Sequence, residues 1–224
     1  MMRCAIAFAL VAVFCWGCGG NENMKRITLD SLVEDKPAPQ PVPPKDSVAV
    51  QQQPGSPARD SVMLVAGRVL QSLKNKDYRS FASYFHPKDP ILFSPYGHIN
   101  VANSKKLLAK DFLESIEKNW TLTWGVYDGT GESMKLKVIP YLDKFVYDAD
   151  YLSSDQVAFD QVIKKGNALN NISEVYPGLH FVEYHIKGID PKYNGMDWRS
   201  LRLVFKMYNN EYYLVAIIHD QWTV

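Results

Sequence analysis

The sequence predicts an α+β domain over residues 61–224, with helices first and antiparallel strands last. Three observations carry this. Val62, Val65, Val69 and Leu73 recur at helical spacing; apolar residues alternate at strand period on both sides of Asn209-Asn210; and no cysteine follows Cys18, so burial alone must hold the fold. A region of that length removes roughly two-thirds of its surface from water on folding, enough to supply the core.

In order along the chain, Asp60 or Ser61 can cap the first helix, and Asn75-Lys76-Asp77 interrupts it. Asp77 then caps a shorter helix with Tyr78, Phe81 and Phe85 on one side. His86-Pro87 stops it, because the residue before proline disfavours the helical region, so His86 reads as a helix-end residue. Residues 91–101 read as a strand pair or a strand bent around Pro95-Tyr96-Gly97, and Asn103 or Ser104 is placed to cap a third helix carrying Leu108, Phe112 and Ile116. Residues 120–127 are β-rich, and Asp128-Gly129-Thr130-Gly131 is a turn. Residues 136–139 fit strand or helix equally, while Pro140 suits the first turn of a helix. Further strands are expected at 157–164 and 179–187, with a loop or short helix around 167–175 between them.

The clearest local signal is the C-terminal hairpin, residues 200–208 and 211–222, because Asn tolerates the positive φ of a two-residue turn. Pairing Tyr208 with Glu211 and counting outward puts Leu201, Leu203, Phe205 and Met207 on one face with Ile218, Ala216, Leu214 and Tyr212. The same count sets Arg199 opposite Asp220 and Ser200 opposite His219. On 179–187, the period of two puts Glu183 and His185 on one face, and His180 and Tyr184 on the other.

Composition excludes several functions. The chain has 224 residues, 46% hydrophobic and 22% charged, an ordinary globular balance; its 13 Tyr, 10 Phe and 5 Trp suit sheets and packing. Loss of residues 1–17 would remove one basic residue, Arg3, leaving 25 − 1 = 24 Lys+Arg against 24 Asp+Glu. That near-neutrality argues against a nucleic-acid partner, whose phosphates call for a net basic surface. The lack of cysteine after Cys18 excludes thiol catalysis and cysteine-ligated metals in the folded region. No His-Glu-x-x-His, EF-hand loop, phosphate loop or Gly-x-Ser-x-Gly elbow occurs. Asp148-Ala149-Asp150 comes nearest to a calcium pattern but lacks its glycine and distal glutamate, and reads as a solvated acidic turn. No metal and no cofactor is expected.

The first sixty residues predict an address. Met1-Met2-Arg3 is a short basic start, and residues 5–16 are an uncharged apolar run, long enough for an export signal and short of the twenty or so residues that span a bilayer. The run ends at Gly17-Cys18-Gly19 and resembles a bacterial lipoprotein signal, which implies cleavage after residue 17 and acylation of Cys18; Cys15 stands where such signals usually carry Leu. Two or three acyl chains (palmitate among them), at ~0.8 kcal/mol per buried methylene, anchor a protein firmly. The resemblance places it in the cell envelope, and Gly19 instead of Asp after the cysteine implies the outer membrane in a host with two membranes. Residues 18–60, with prolines at 37, 39, 41, 43, 44, 54 and 57, read as a disordered tether in which the proline-dense piece favours extended polyproline II at ~3.1 Å per residue.

Two helices, a strand through Phe93-Ser94-Pro95-Tyr96, a further helix and a closing set of antiparallel strands resemble the nuclear-transport-factor-2-like fold. In that fold a curved antiparallel sheet wraps N-terminal helices to form a cup. The run from Met196 to Phe205, with His219-Asp220-Gln221-Trp222-Thr223, is also similar to uncharacterised bacterial lipoproteins of this type. Cups of this class place ionisable groups at the mouth, so the candidate cluster is Glu183, Tyr184, His185, Arg199, His219 and Asp220, without a catalytic assignment. Three functions compete: a non-catalytic module binding a small molecule or an envelope protein; a pocket enzyme with Asp220, Glu183 or a histidine as general base; and an assembly component whose face with Tyr213, Val215 and Ile217 makes a homodimer contact.

Overall fold

A computed structural model describes residues 56–165 and 169–222. The expected signal segment, Cys18 and the tether as far as residue 55 lie outside the described residues. The first helix, α1, runs Pro57–Lys74, starting earlier than the Asp60 or Ser61 cap expected: Ser56 caps it by accepting from Arg59 N, and Pro57 occupies the first turn. Residues 57–60 of the expected tether are therefore helical. Asn75 closes α1, and Asp77 caps α2 (Tyr78–Ser83) by accepting from Ser80 N, as expected.

The main sheet is open, curved and six-stranded, in the order β2 (Lys105–Leu107), β1 (Ile91–Ser94), β8 (Glu211–Gln221), β7 (Arg199–Tyr208), β6 (His180–Ile186), β5 (Gln156–Phe159). All pairs are antiparallel except β1 with β8, so the sheet is mixed and not purely antiparallel as expected. Residues 105–107 pair with Ile91–Phe93, and this ladder displaces the expected cap at Asn103 or Ser104. Helix α3 instead begins at Ala109 and runs to Glu117 without a side-chain cap. A separate hairpin, β3 (Thr121–Val126) and β4 (Ser133–Lys137), leads into α4 (Val138–Phe145), which resolves the ambiguity at 136–139 as strand then helix. Strand β5 stops at Phe159 because Asp160 takes φ 53° and its carboxylate accepts from Phe181 N at 2.8 Å. Residues 161–165 and the short α5 (Ile172–Val175) belong to the excursion between β5 and β6.

The two faces of the sheet carry separate cores. On one, α1 to α4 bury Val69, Leu70, Phe81, Phe112, Tyr141 and Phe145 against Phe93, Val182, Tyr184, Leu201, Leu203, Phe205, Leu214 and Ile217. Trp124 stacks on Tyr141 with centroids 3.7 Å apart, Phe93 meets Trp124 edge-on at 5.3 Å, and Trp124 Nε1 donates to Leu136 O at 2.9 Å. The other face carries a smaller cluster, in which Leu92, Val204, Ala216 and Ile218 meet Ile99, Ile172, Val175 and Tyr176. Among the described residues no helix is long and apolar enough to cross a membrane. The result is the α+β arrangement expected: helices packed on a curved open sheet, with aromatic rings filling the space between them.

Candidate functional site

The geometry of the site follows from one extra residue. Asn209 and Asn210 take φ 49° and 64°, and Tyr208 pairs with Glu211 as counted. The count holds to Phe205 opposite Leu214. Then Val204 pairs with Ala216, leaving Val215 as an added residue on β8. From there the register shifts by one and every side chain changes face. Arg199 therefore lies across from Gln221, and Ser200 across from Asp220; the expected Arg199–Asp220 and Ser200–His219 pairs do not form. Ile217 joins the helix-side core in place of Ala216 and Ile218, which pack on the other side. Val215 and Ile217 are both buried and pack in different clusters, so they do not share the single face expected of them.

The candidate cluster is thus two clusters, back to back. On the helix side, His219 Nε2 lies 3.2 Å from Asp148 Oδ2, Arg199 Nη1 donates to the same oxygen at 3.0 Å and to Asp148 O at 2.9 Å, and Tyr151 OH donates to Asp148 Oδ1 at 2.7 Å. Burial alone would raise the Asp148 carboxyl; His219, Tyr151 and Arg199 together hold it below the usual range. Asp148 is therefore not the solvated turn residue expected, whereas Asp150 pairs at the surface with Lys74 at 2.8 Å. His219 is fully buried, its ring edge-on to Phe145, and Tyr184 is part of the same core.

The other side carries a denser charge cluster. Arg202, fully buried, donates through Nε to Glu183 Oε2 at 2.8 Å, and through Nη2 to Asp220 Oδ2 at 3.0 Å and to the carbonyl of Lys164 at 2.7 Å. Glu183, equally buried, also accepts from the backbone N–H of Ile163 at 3.1 Å, so the cluster ties the excursion after β5 to the sheet. His185 Nδ1 meets Ser200 Oγ at 2.9 Å beside Trp198; burial lowers its pKa against the opposing pull of Glu183. Burial raises the Asp220 carboxyl, and Arg202 offsets this only in part because it also serves Glu183. Two carboxylates share one guanidinium, so the group carries a net charge of −1 when both are ionised.

Arg202 is the residue that sequence reasoning missed. Its signal was present: an arginine between Leu201 and Leu203, in a strand whose alternation puts it beside Ser200 and Val204, has to bury its charge and find a partner. Among the described residues no group of three or more His, Cys, Asp or Glu is arranged to hold a metal ion.

Asp220 is the member of this cluster that reaches a cavity. A cleft of about 450 Å³ opens where the β1–β2 connection, the β3–β4 turn and the end of β8 meet, lined among others by Tyr96, His98, Asn100, Tyr127, Asp128 and Asp220. Tyr96 OH accepts from Asp128 N at 3.1 Å, which fixes the turn against the opposite wall. Gly97 lies directly on the Asp220 carboxylate: a Cβ at that position would fall 2.5 Å from Oδ2.

No family model matches the sequence, and no curated protein matches it. One solved structure, a designed nuclear-transport-factor-2-like protein, is similar at 12% identity over 72% of this chain and 98% of that chain, with a TM-score of 0.31. Likeness at that level says nothing of activity.

Proposed function

We propose that this chain is a lipid-anchored envelope protein with a non-catalytic binding domain, and that the cleft beside Asp220 is its receptor site. The observation that carries the reading is how the ionisable groups are used. Glu183, Arg202, His185, Asp148, Arg199 and His219 are each bonded to another part of the chain, and aromatic rings fill the space between sheet and helices. A general base needs a free lone pair within reach of a substrate proton; of the candidate groups Asp220 alone lines the cleft, and its Oδ2 is taken by Arg202 at 3.0 Å. The cleft at the polar corner, one of at least three cavities among the described residues, is of small-ligand size, since pockets of roughly 300–1,000 Å³ bury most of such a molecule. The anchor rests on the Gly17-Cys18-Gly19 junction and the proline-rich residues after it, which would hold the domain away from the bilayer.

The test has two arms. Mass spectrometry of the native protein should find a diacylglyceryl-modified Cys18 at the mature amino terminus; an intact leader with an unmodified thiol ends the anchored reading. For the domain, the full chain is assayed with generic ester, glycoside and isomerase substrates. Turnover that disappears in a folded Asp220→Asn variant would show an enzyme and end the non-catalytic reading.

A further inference from the structure

We infer that the cleft beside Asp220 selects a small organic cation, an ammonium with an apolar body. The inference rests on the reading of this cleft as a binding site and adds the chemistry of its occupant.

The charged residues in its lining are Asp128 and Asp220; no lysine or arginine is among them. Behind Asp220 the buried cluster counts two carboxylates against one guanidinium, and Glu183 takes the shorter of the two Arg202 contacts, 2.8 Å against 3.0 Å. Carboxylates thus outnumber the cation bonded to them at the cleft floor, and low-dielectric walls focus the field of such an excess into the opening. Two aromatic rings, Tyr96 and Tyr127, supply the surface that an ammonium with an apolar body requires, because the ring face is the negative end of its quadrupole. The ring of Tyr127 already accepts one cation in this way, with Lys144 Nζ 5.4 Å from its centroid. An anionic ligand would face two carboxylates with no cation in the lining to meet it. A neutral ligand would cover the exposed Asp128 carboxylate without supplying a charge to replace its water.

The experiment is isothermal titration of the full chain in neutral detergent with choline and n-butylammonium, each against its uncharged isostere, 3,3-dimethylbutan-1-ol and n-butanol. The ammonium probes should bind at least about tenfold more tightly than the alcohols, as a charge-assisted contact adds ~1.5–3 kcal/mol. Asp220→Asn and the rim variant Asp128→Asn should each erase much of that preference, and Asp128 is exposed enough to be changed without threatening the fold. Equal affinity for cation and alcohol would overturn the inference about charge while leaving the cleft as a binding site. Ammonium binding unaffected by Asp128→Asn, Asp220→Asn and Tyr96→Leu would place the cation elsewhere and overturn it as well. If neither cations nor alcohols bind, the cleft is not a receptor and both readings fall.

Discussion

The two faces of the same sheet solve opposite problems. The helix side buries large rings with a single polar knot around Asp148, whose carboxylate faces one arginine and one histidine. The outer side has few apolar residues and is fastened by a charge cluster with one acid too many. The comparison teaches where each face keeps its free energy: in packing on the first, where truncation leaves a hole, and in pairing on the second, where removing one partner strands a charge.

Substitutions can sharpen or break that contrast, from the largest expected effect down. Trp124→Ala should cost about 3–5 kcal/mol, because both its stack on Tyr141 and its bond to Leu136 O are lost in a full core. Denaturant unfolding with a loss below 1 kcal/mol would mean the helix side is not tightly packed. On the outer face, Arg202→Met should cost a similar 3–5 kcal/mol, since Glu183 and Asp220 are left buried without a cation. The distinguishing feature is rescue: adding Asp220→Asn should return part of the loss in the Arg202 variant and none in the Trp124 variant. Additive behaviour in both would erase the distinction between the faces.

Gly97→Ala is the next in size, about 1–3 kcal/mol, because its Cβ would meet the Asp220 carboxylate at 2.5 Å. Asp220→Ala in the same chain should relieve the overlap, and a thermal melt of the double variant below the single one would refute the contact. A smaller effect concerns pH. Burial holds both His86 and His185 below their ordinary value, so the unfolded chain binds more protons than the folded one between the two values. This stability is fully present above the unfolded pKa of about 6.5 and is lost as pH falls through it towards the folded values. Asp220, raised by burial, contributes with the opposite sign, so the measurement belongs in the Asp220→Asn background. There the urea midpoint should drop between pH 7.5 and pH 5.5, and a rise would show the imidazoles charged in the native state. Smallest of all, Asn210→Gly should stabilise by a few tenths of a kcal/mol, because glycine takes positive φ without strain.

Much of the fold was legible in the sequence because local chemistry decided it. Asp77, Pro140 and Asn209-Asn210 mark element boundaries through backbone preferences that act within a few residues. What stayed hidden depends on partners distant in sequence. Residues 105–107 become strand because Ile91–Phe93 needs an edge, and β1 runs parallel to β8 across more than a hundred residues of chain. The site was half legible for the same reason. Alternation placed Glu183 and His185 correctly on one face, but the partners of Arg199 and Asp220 depended on whether β8 carried an added residue, and nothing in Leu214-Val215-Ala216 announces one. Asp148 was read as a surface turn because its burial comes from Arg199 and His219, more than fifty residues away.

That added residue at Val215 sets the phase of the last strand. Residues 216–221 present their side chains as they do because β8 takes one step more than β7 between them and the turn. A substitution at 215 leaves the phase intact; shortening the strand by one residue there would turn Asp220 towards the aromatic rings and His219 towards the cleft. The chemical identity of this corner is written in chain length as much as in side chains.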